Sequence, residues 1–215
     1  MPVNPEWEAS LEAQIDEIRA ALAERDPAEV AEVCGATLSG DGRLVIEFFG
    51  QPYMVIWPEV RVQDTEGAEC PTPVQSSLLQ HLERANGAPL ADRWVSLREL
   101  PNGAFYERAF QGYTGQRLAR TFGSDIEGLR EAARSIGGEE LEVGDAGFRV
   151  WALPRVPLAV VYWAGDDEFP ASAQVLFDAS ATHYHHLEML AHLGSILCSR
   201  LLAVYGEQDG REEGD

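Results

Sequence analysis

Lysine is absent from this chain: all 16 of its basic side chains apart from histidine are arginine, set against 36 aspartates and glutamates. The resulting formal charge of −20 repels phosphate backbones and anionic lipid headgroups, so neither nucleic acid nor a membrane is expected as a partner. Cysteine is scarce. Cys34, Cys70 and Cys198 are widely spaced with no CxxC pair, so a zinc site or cysteine-ligated cluster lacks its signature. Three reduced thiols suit a cytoplasmic protein. Long apolar runs are missing too, none approaching the roughly 18 residues of a membrane span. The N-terminal stretch MPVNPEWEASLEAQIDEI places acids where a secretion signal needs positive charge. Neither GxGxxG nor GxxxxGK[ST] occurs, which removes the main support for a phosphate-cradling nucleotide fold. Without GxSxG, no serine is nominated as a nucleophile.

What is present reads as one α+β domain over residues 1–205, followed by an acidic, disordered tail at 206–215. Residues 5–34 have helical periodicity through Leu11, Ile15, Ile18 and Leu22, broken at Arg25–Pro27 and stopped at Gly35. SGDGRLVIEFFGQPYMVIWPEVRV then switches to β-branched and aromatic residues between turn signals, which predicts an antiparallel hairpin. CPTPVQSSLLQHLERANG is a helix with Thr72 as its expected N-cap and Val74, Leu78, Leu79 and Leu82 as its buried stripe. His81 sits beside that stripe and reads as a boundary residue. Trp94–Ile136 is mostly helical and cut by glycines, with Ser124 and Glu127 spaced as a capping box. Strands return at ELEVGDAGFRVWALP, PLAVVYWAG and AQVLFD. A long C-terminal helix, about Leu187–Tyr205, carries Leu190, Leu193, Leu197 and Leu201 on one face. The expected architecture is a largely antiparallel sheet made of hairpins from both halves, packed with helices.

Three stretches could carry chemistry. WAGDDEFPASAQVLFD sets Asp166, Asp167 and Glu168 between two strands, fixed by Phe169 and Pro170, with Asp178 at the end of the next strand. Fixed acids in such a loop can bind a metal or act as acid and base, although in a chain this acidic they can equally be a solvated turn. We expect Asp166 to accept backbone N–H bonds within its own loop, and Glu168 or Asp178 to pair with Arg155 or Arg98. The stretch ATHYHHLEMLAH concentrates His183, His185, His186 and His192; if helical, His185, Glu188 and His192 would share a face suited to a first-row metal. Between Arg93 and Arg134 arginines outnumber acids, and Arg98, Arg108, Arg117 and Arg120 lie near Tyr106 and Tyr113. Arginine forks bind carboxylates and phosphates in two-point fashion, or pair with acids of the same chain.

The stretches WVSLRELPNGAFYERAF and GDAGFRVWALPRVPLAVVYWAGDDEFPASAQVLFDAS, and more weakly LLQHLERANGAPLADRW, resemble the uncharacterised family catalogued as domain of unknown function 3786, from about Asp26 to Leu202. The residues that match its motifs are Arg98, Tyr106, Arg155, Trp163, Asp166, Glu168, Phe169, Pro170 and Asp178. Members of that family are found largely in anaerobic bacteria and archaea. Some carry an added iron–sulfur module of the kind seen in corrinoid proteins. The resemblance therefore implies a cofactor or redox setting, with a partner carrying an iron–sulfur or corrinoid centre, and implies no activity.

Three functions remain in view. The first is a cytoplasmic binding domain for a small anionic molecule or cofactor, in anaerobic one-carbon or redox metabolism, with Arg98, Tyr106, Arg108, Arg155, Trp163, Asp166, Glu168 and Asp178 as ligand residues. The second is a metal-dependent enzyme built on the acidic loop with His183, His185, Glu188 and His192 as metal ligands. The third is an accessory domain that binds a protein partner and no small ligand. The sequence leaves both the cofactor and the question of enzymatic activity open.

Overall fold

The computed structural model describes residues 5–212, with side chains for residues 11–207. The chain is α+β, as its periodicities predict, but the hairpins of its two halves build two separate antiparallel sheets. Its contacts sort into two units. One comprises residues 1–89 with Leu153–Arg155 and His183–His185; the other comprises Leu90–Ala152, Val156–Thr182 and residues 186–215.

In the first unit, α1 (Pro5–Ala23) and α2 (Pro27–Cys34) are separated where the sequence predicts the break. The Asp26 carboxylate caps α2 by accepting from Ala28 N at 2.8 Å, and Pro27 starts the helix with its φ already set. A four-stranded meander follows, in the order β1 (Thr37–Leu38), β2 (Arg43–Phe48), β3 (Gln51–Ile56) and β4 (Arg61–Gln63). Phe48 pairs with Gln51, which leaves Phe49 and Gly50, both at positive φ, as a two-residue turn of the kind whose twist suits a hairpin. The third helix, α3 (Thr72–Arg84), begins at Thr72, so the capping position falls to Pro71. Ile15, Ile18 and Leu22 of α1 bury with Leu78, Leu79 and Leu82 of α3, while Leu44, Ile46 and Phe48 line the inner side of β2.

In the second unit the strands are β5 (Trp94–Ser96), β6 (Glu139–Leu141), β7 (Ala146–Leu153), β8 (Val156–Trp163) and β9 (Ser172–Asp178), ordered β5-β9-β8-β7-β6. The central strand β8 is buried at every position except Trp163, which explains its unbroken apolar run. The helices are α4 (Glu107–Tyr113), α5 (Gly115–Phe122), α6 (Ile126–Ser135) and α7 (Leu187–Glu212). Asp125, rather than Ser124, caps α6: its carboxylate accepts from Gly128 N at 2.9 Å. By length and hydropathy, Leu187–Glu207 could cross a membrane, yet Leu190, Leu193, Leu197 and Leu201 are all buried. The helix runs past Tyr205 to Glu212, and the last residues of the expected tail, 213–215, lie outside the described residues.

Helix α5 lies against β9 so closely that a Cβ on Gly115 would stand 2.1 Å from the carbonyl oxygen of Ala173, a contact no side chain tolerates. Gly115→Ala must push helix and strand apart, and overpacking of this kind costs about 1–3 kcal/mol. Urea unfolding should show a lower midpoint for this variant, whereas Gly112→Ala, with open space around the added methyl, should unfold with the wild type or later.

Candidate functional site

Asp166, the first acid of the β8–β9 connection, acts locally. Its Oδ1 accepts from Glu168 N at 2.8 Å and from Phe169 N at 2.7 Å, and its own N–H donates to Phe169 O at 2.9 Å. Those backbone donors hold its carboxyl below the usual aspartate value. The expectation for Asp166 therefore holds, and its origin is a turn. Asp167 and Glu168 are exposed beside it.

Asp178 is different. It is buried at the end of β9 and accepts four hydrogen bonds: Ala91 N at 2.9 Å, Arg93 N at 3.3 Å, Ser180 N at 2.9 Å and Ser180 Oγ at 2.6 Å. Burial pushes its carboxyl upward, but the donors of Ser180, Ala91 and Arg93 outweigh burial and hold it below the usual value. The ion pairs expected from Arg155 and Arg98 do not form. Arg155 belongs to the other unit and donates to the carbonyls of Gly87 at 3.0 Å and Glu32 at 3.2 Å; Arg98 is exposed on the 3-10 turn Leu97–Glu99. Backbone groups next to Asp178 in space satisfy it first, and a guanidinium would have to displace them.

The metal reading loses its geometry. Helix α7 starts at Leu187, so His183 and His185 precede it and share no helical face with Glu188 and His192. His183 is exposed and bonds Asn86 at 3.0 Å, Glu188 and His192 are exposed on α7, and His185 is buried. Among the described residues, no group of three or more histidines, cysteines, aspartates or glutamates could hold a metal ion.

A cavity in the second unit lies elsewhere. It has a volume of about 600 Å³ and is walled on one side by Gln116, Ala119 and Arg120 of α5 with Gly123 and Ser124, and on the other by Gly165 and Pro170–Ala173. None of Arg98, Tyr106, Arg108, Arg155, Trp163, Asp166, Glu168 or Asp178 lines it, although Asp166 and Glu168 belong to the connection that does and Trp163 precedes it. Arg98, Tyr106 and Arg108 are exposed on the stretch before α5. Gly123, at φ 56° and ψ −114°, ends α5 in a conformation that side chains other than glycine's avoid. That turn aims its carbonyl at Tyr162 Oη, which donates at 2.8 Å, and at Gly165 N, which donates at 3.4 Å. Burial, with the Asp125 charge nearby, raises the Tyr162 hydroxyl to about 12, so it stays a donor. Arg120 donates from Nε to Gln116 O at 3.1 Å and from Nη2 to Gly112 O at 3.4 Å, and it pairs with no carboxylate among the described residues.

The first unit holds a second polar cluster that the sequence did not announce. His81 of α3, read as a boundary residue, is 0% exposed. Its Nε2 lies 3.1 Å from Cys34 O and its Nδ1 lies 3.2 Å from His185 Nε2, and both His185 and Tyr184 stack on its ring. A carbonyl can only accept, so His81 carries its proton on Nε2 and takes a second bond at Nδ1 from His185 Nε2–H. Burial lowers the His81 pKa to about 4 against the help of the Cys34 carbonyl, and the Arg155 charge lowers it further. Burial also pushes the Cys34 thiol up to about 11, so it is no thiolate nucleophile.

Two stability measurements follow. A histidine whose folded pKa is depressed contributes stability that is complete above its unfolded value, near 6.5, and is lost as pH falls from there to about 4. That window is worth about 3 kcal/mol if the whole shift is realised. Urea unfolding between pH 7.5 and 4 should show this slope in the wild type, and His81→Gln should flatten it. Asp178 titrates lower still, so its contribution disappears only at more acid pH. At neutral pH, Asp178→Ala leaves buried N–H groups without an acceptor and should cost about 3 kcal/mol, clearly more than Asp166→Ala, whose donors face water.

No curated protein and no solved structure matches the chain. A family model does match, across residues 26–200, and it spans both the His81 cluster and the walls of the Arg120 cavity. The chain is a member of the family described as Domain of unknown function (DUF3786).

Proposed function

We propose that the second unit is a binding domain for a small anionic molecule, held in the cavity between α5 and the β8–β9 connection. The observation that carries this reading is Arg120. In a chain of net charge −20, an arginine at a cavity wall without a carboxylate partner among the described residues keeps its charge for something else. Two of its five N–H groups are used on backbone carbonyls, which fix the guanidinium and leave the others to a ligand. Around it, the Gln116 carboxamide and the hydroxyls of Ser124 and Ser172 add neutral donors, while Ala119, Pro170, Ala171 and Ala173 supply an apolar wall. A volume of about 600 Å³ falls within the usual range for small-molecule sites.

One guanidinium with neutral donors suits a single carboxylate or phosphate. The acids beside the cavity, Asp166, Asp167 and Glu168, oppose a polyanion. The ligand class is therefore a molecule with a single carboxylate or phosphate, on an apolar body in its best-bound members, held through Arg120 and not, as the sequence suggested, through Arg98, Arg108 and Arg155. The buried, unbridged thiols of Cys34, Cys70 and Cys198 favour a reducing compartment such as the cytoplasm for this work.

Acetate, benzoate, other aromatic and aliphatic monocarboxylates, and inorganic phosphate should be screened by thermal shift and then by calorimetry. A ligand at about one hundred times its Kd adds about 2.7 kcal/mol of stability. Arg120→Gln is exposed enough to leave the fold intact and should weaken the best ligand at least tenfold. A variant that binds as tightly as the wild type, or a wild type that no anion stabilises, contradicts the proposal.

A further inference from the structure

We propose a second binding surface on the same unit: the end of the five-stranded sheet where β7 begins and β8 ends docks a basic segment of a partner protein through an exposed apolar patch. Three large hydrophobic side chains stand in water there. They are Val143 on the β6–β7 turn at 40% exposure, Trp163 at the end of β8 at 39%, and Phe169 on the β8–β9 connection at 67%. Single exposed apolar residues are ordinary; one at a strand end and two on the neighbouring connections are less so.

The two connections are fastened to each other. Asp145 N donates to Tyr162 O at 2.9 Å, and Ala164 N donates to Asp145 Oδ2 at 2.9 Å. The Asp166 turn and Pro170 then fix Phe169 from both sides. A patch held this way loses little conformational freedom on binding, which is what an anchor residue needs. Beside it, the β6–β7 turn borders an open hollow of about 400 Å³, lined by Leu141–Gly147 with Arg130 and Glu140.

Charge selects the occupant. Glu142, Asp145, Asp166, Asp167 and Glu168 lie on the same two connections, and none of their carboxylates forms a salt bridge among the described residues; Arg130 reaches only the carbonyl oxygen of Asp145, at 3.0 Å. Arg130, the cation at the hollow, is shared between Glu127 at 3.4 Å and Glu140 at 3.6 Å. A chain without lysine has few cations to offer in return, so the complement is a lysine- and arginine-rich segment carrying a large apolar residue. A second copy of this chain would present acid to acid. Nucleic acids and anionic vesicles are repelled for the same reason.

The test uses the full chain and a fluorescein-labelled synthetic peptide of alternating lysine and arginine with a central Leu-Trp pair. A companion peptide has Ser-Gly in place of that pair, and binding is read by anisotropy at low and at physiological salt. The apolar peptide should bind, weaken with salt, and bind at least tenfold tighter than its Ser-Gly companion. Phe169→Ala and, separately, Phe169→Gln should weaken it about tenfold. The double variant Asp167→Asn/Glu168→Gln should weaken it several-fold at low salt, while Glu47→Gln/Glu59→Gln, exposed acids of the first unit, should not. Arg120→Gln should leave peptide binding unchanged, which separates this surface from the cavity. The proposal is overturned by equal binding of the two peptides, by Phe169 variants that bind like the wild type, by an equal effect of the first-unit acids, or by no binding at all.

Discussion

The carbonyl oxygen of Gly123 holds the second unit's cavity together. It accepts from the Tyr162 hydroxyl and from the Gly165 amide, so one backbone atom joins the end of α5, the last buried residue of β8 and the start of the β8–β9 connection. The positive-φ turn at Gly123 aims it that way. Together with the close packing of Gly115 on Ala173, these two bonds set the two walls of the cavity relative to each other. The same connection carries the Asp166 turn and Phe169, so the register fixed at Gly123 also sets the apolar patch at the end of the sheet.

Charge is distributed with a consistent logic in a chain that has only arginine as a strong base. Surface acids pair with Arg19, Arg43, Arg130, Arg134 and Arg149 at exposed or half-exposed positions, where each pair is worth little. Arg25, Arg120 and Arg155 instead bind backbone carbonyls, which fixes the guanidinium without cancelling its charge. Arg155 turns that charge on His81 and helps to keep a buried imidazole neutral. Arg120 turns it on a cavity. Asp178 is the converse case, an acid kept ionised in a buried position by four donors rather than by a cation. The two polar cores thus share a principle: backbone groups satisfy the charged or polar side chain, and ion pairs stay outside.

Features whose partners lie within a few residues were legible in the sequence. The Asp166 turn needed only the amides two and three residues ahead, the break at Asp26–Pro27 only its own cap, and the buried face of α7 only the spacing of Leu190, Leu193, Leu197 and Leu201. Features that depend on distant residues were not. His81 looked like a boundary residue because its partners, Cys34 and His185, lie 47 and 104 positions away. The hairpins were readable, but whether they merge into one sheet is decided by long-range pairing, and they do not merge. The histidine face failed on a boundary of two residues: α7 begins at Leu187, and a helical face argued from His185 needed it to start earlier. Arg120 stood in the arginine-rich segment the sequence singled out, yet nothing local distinguished it from Arg98 or Arg108. Only the fold puts it, and not them, at a cavity.

Backbone amide NMR of the full chain, titrated with the same monocarboxylates and with phosphate, tests the cavity most directly. The account predicts saturable shifts concentrated at Gly123, Ser124, Gly165, Ala171 and Ser172 and at the Nε–H of Arg120, with amides of the first unit unmoved. Saturable shifts centred on any other region, or no shift with any member of the panel, would contradict it.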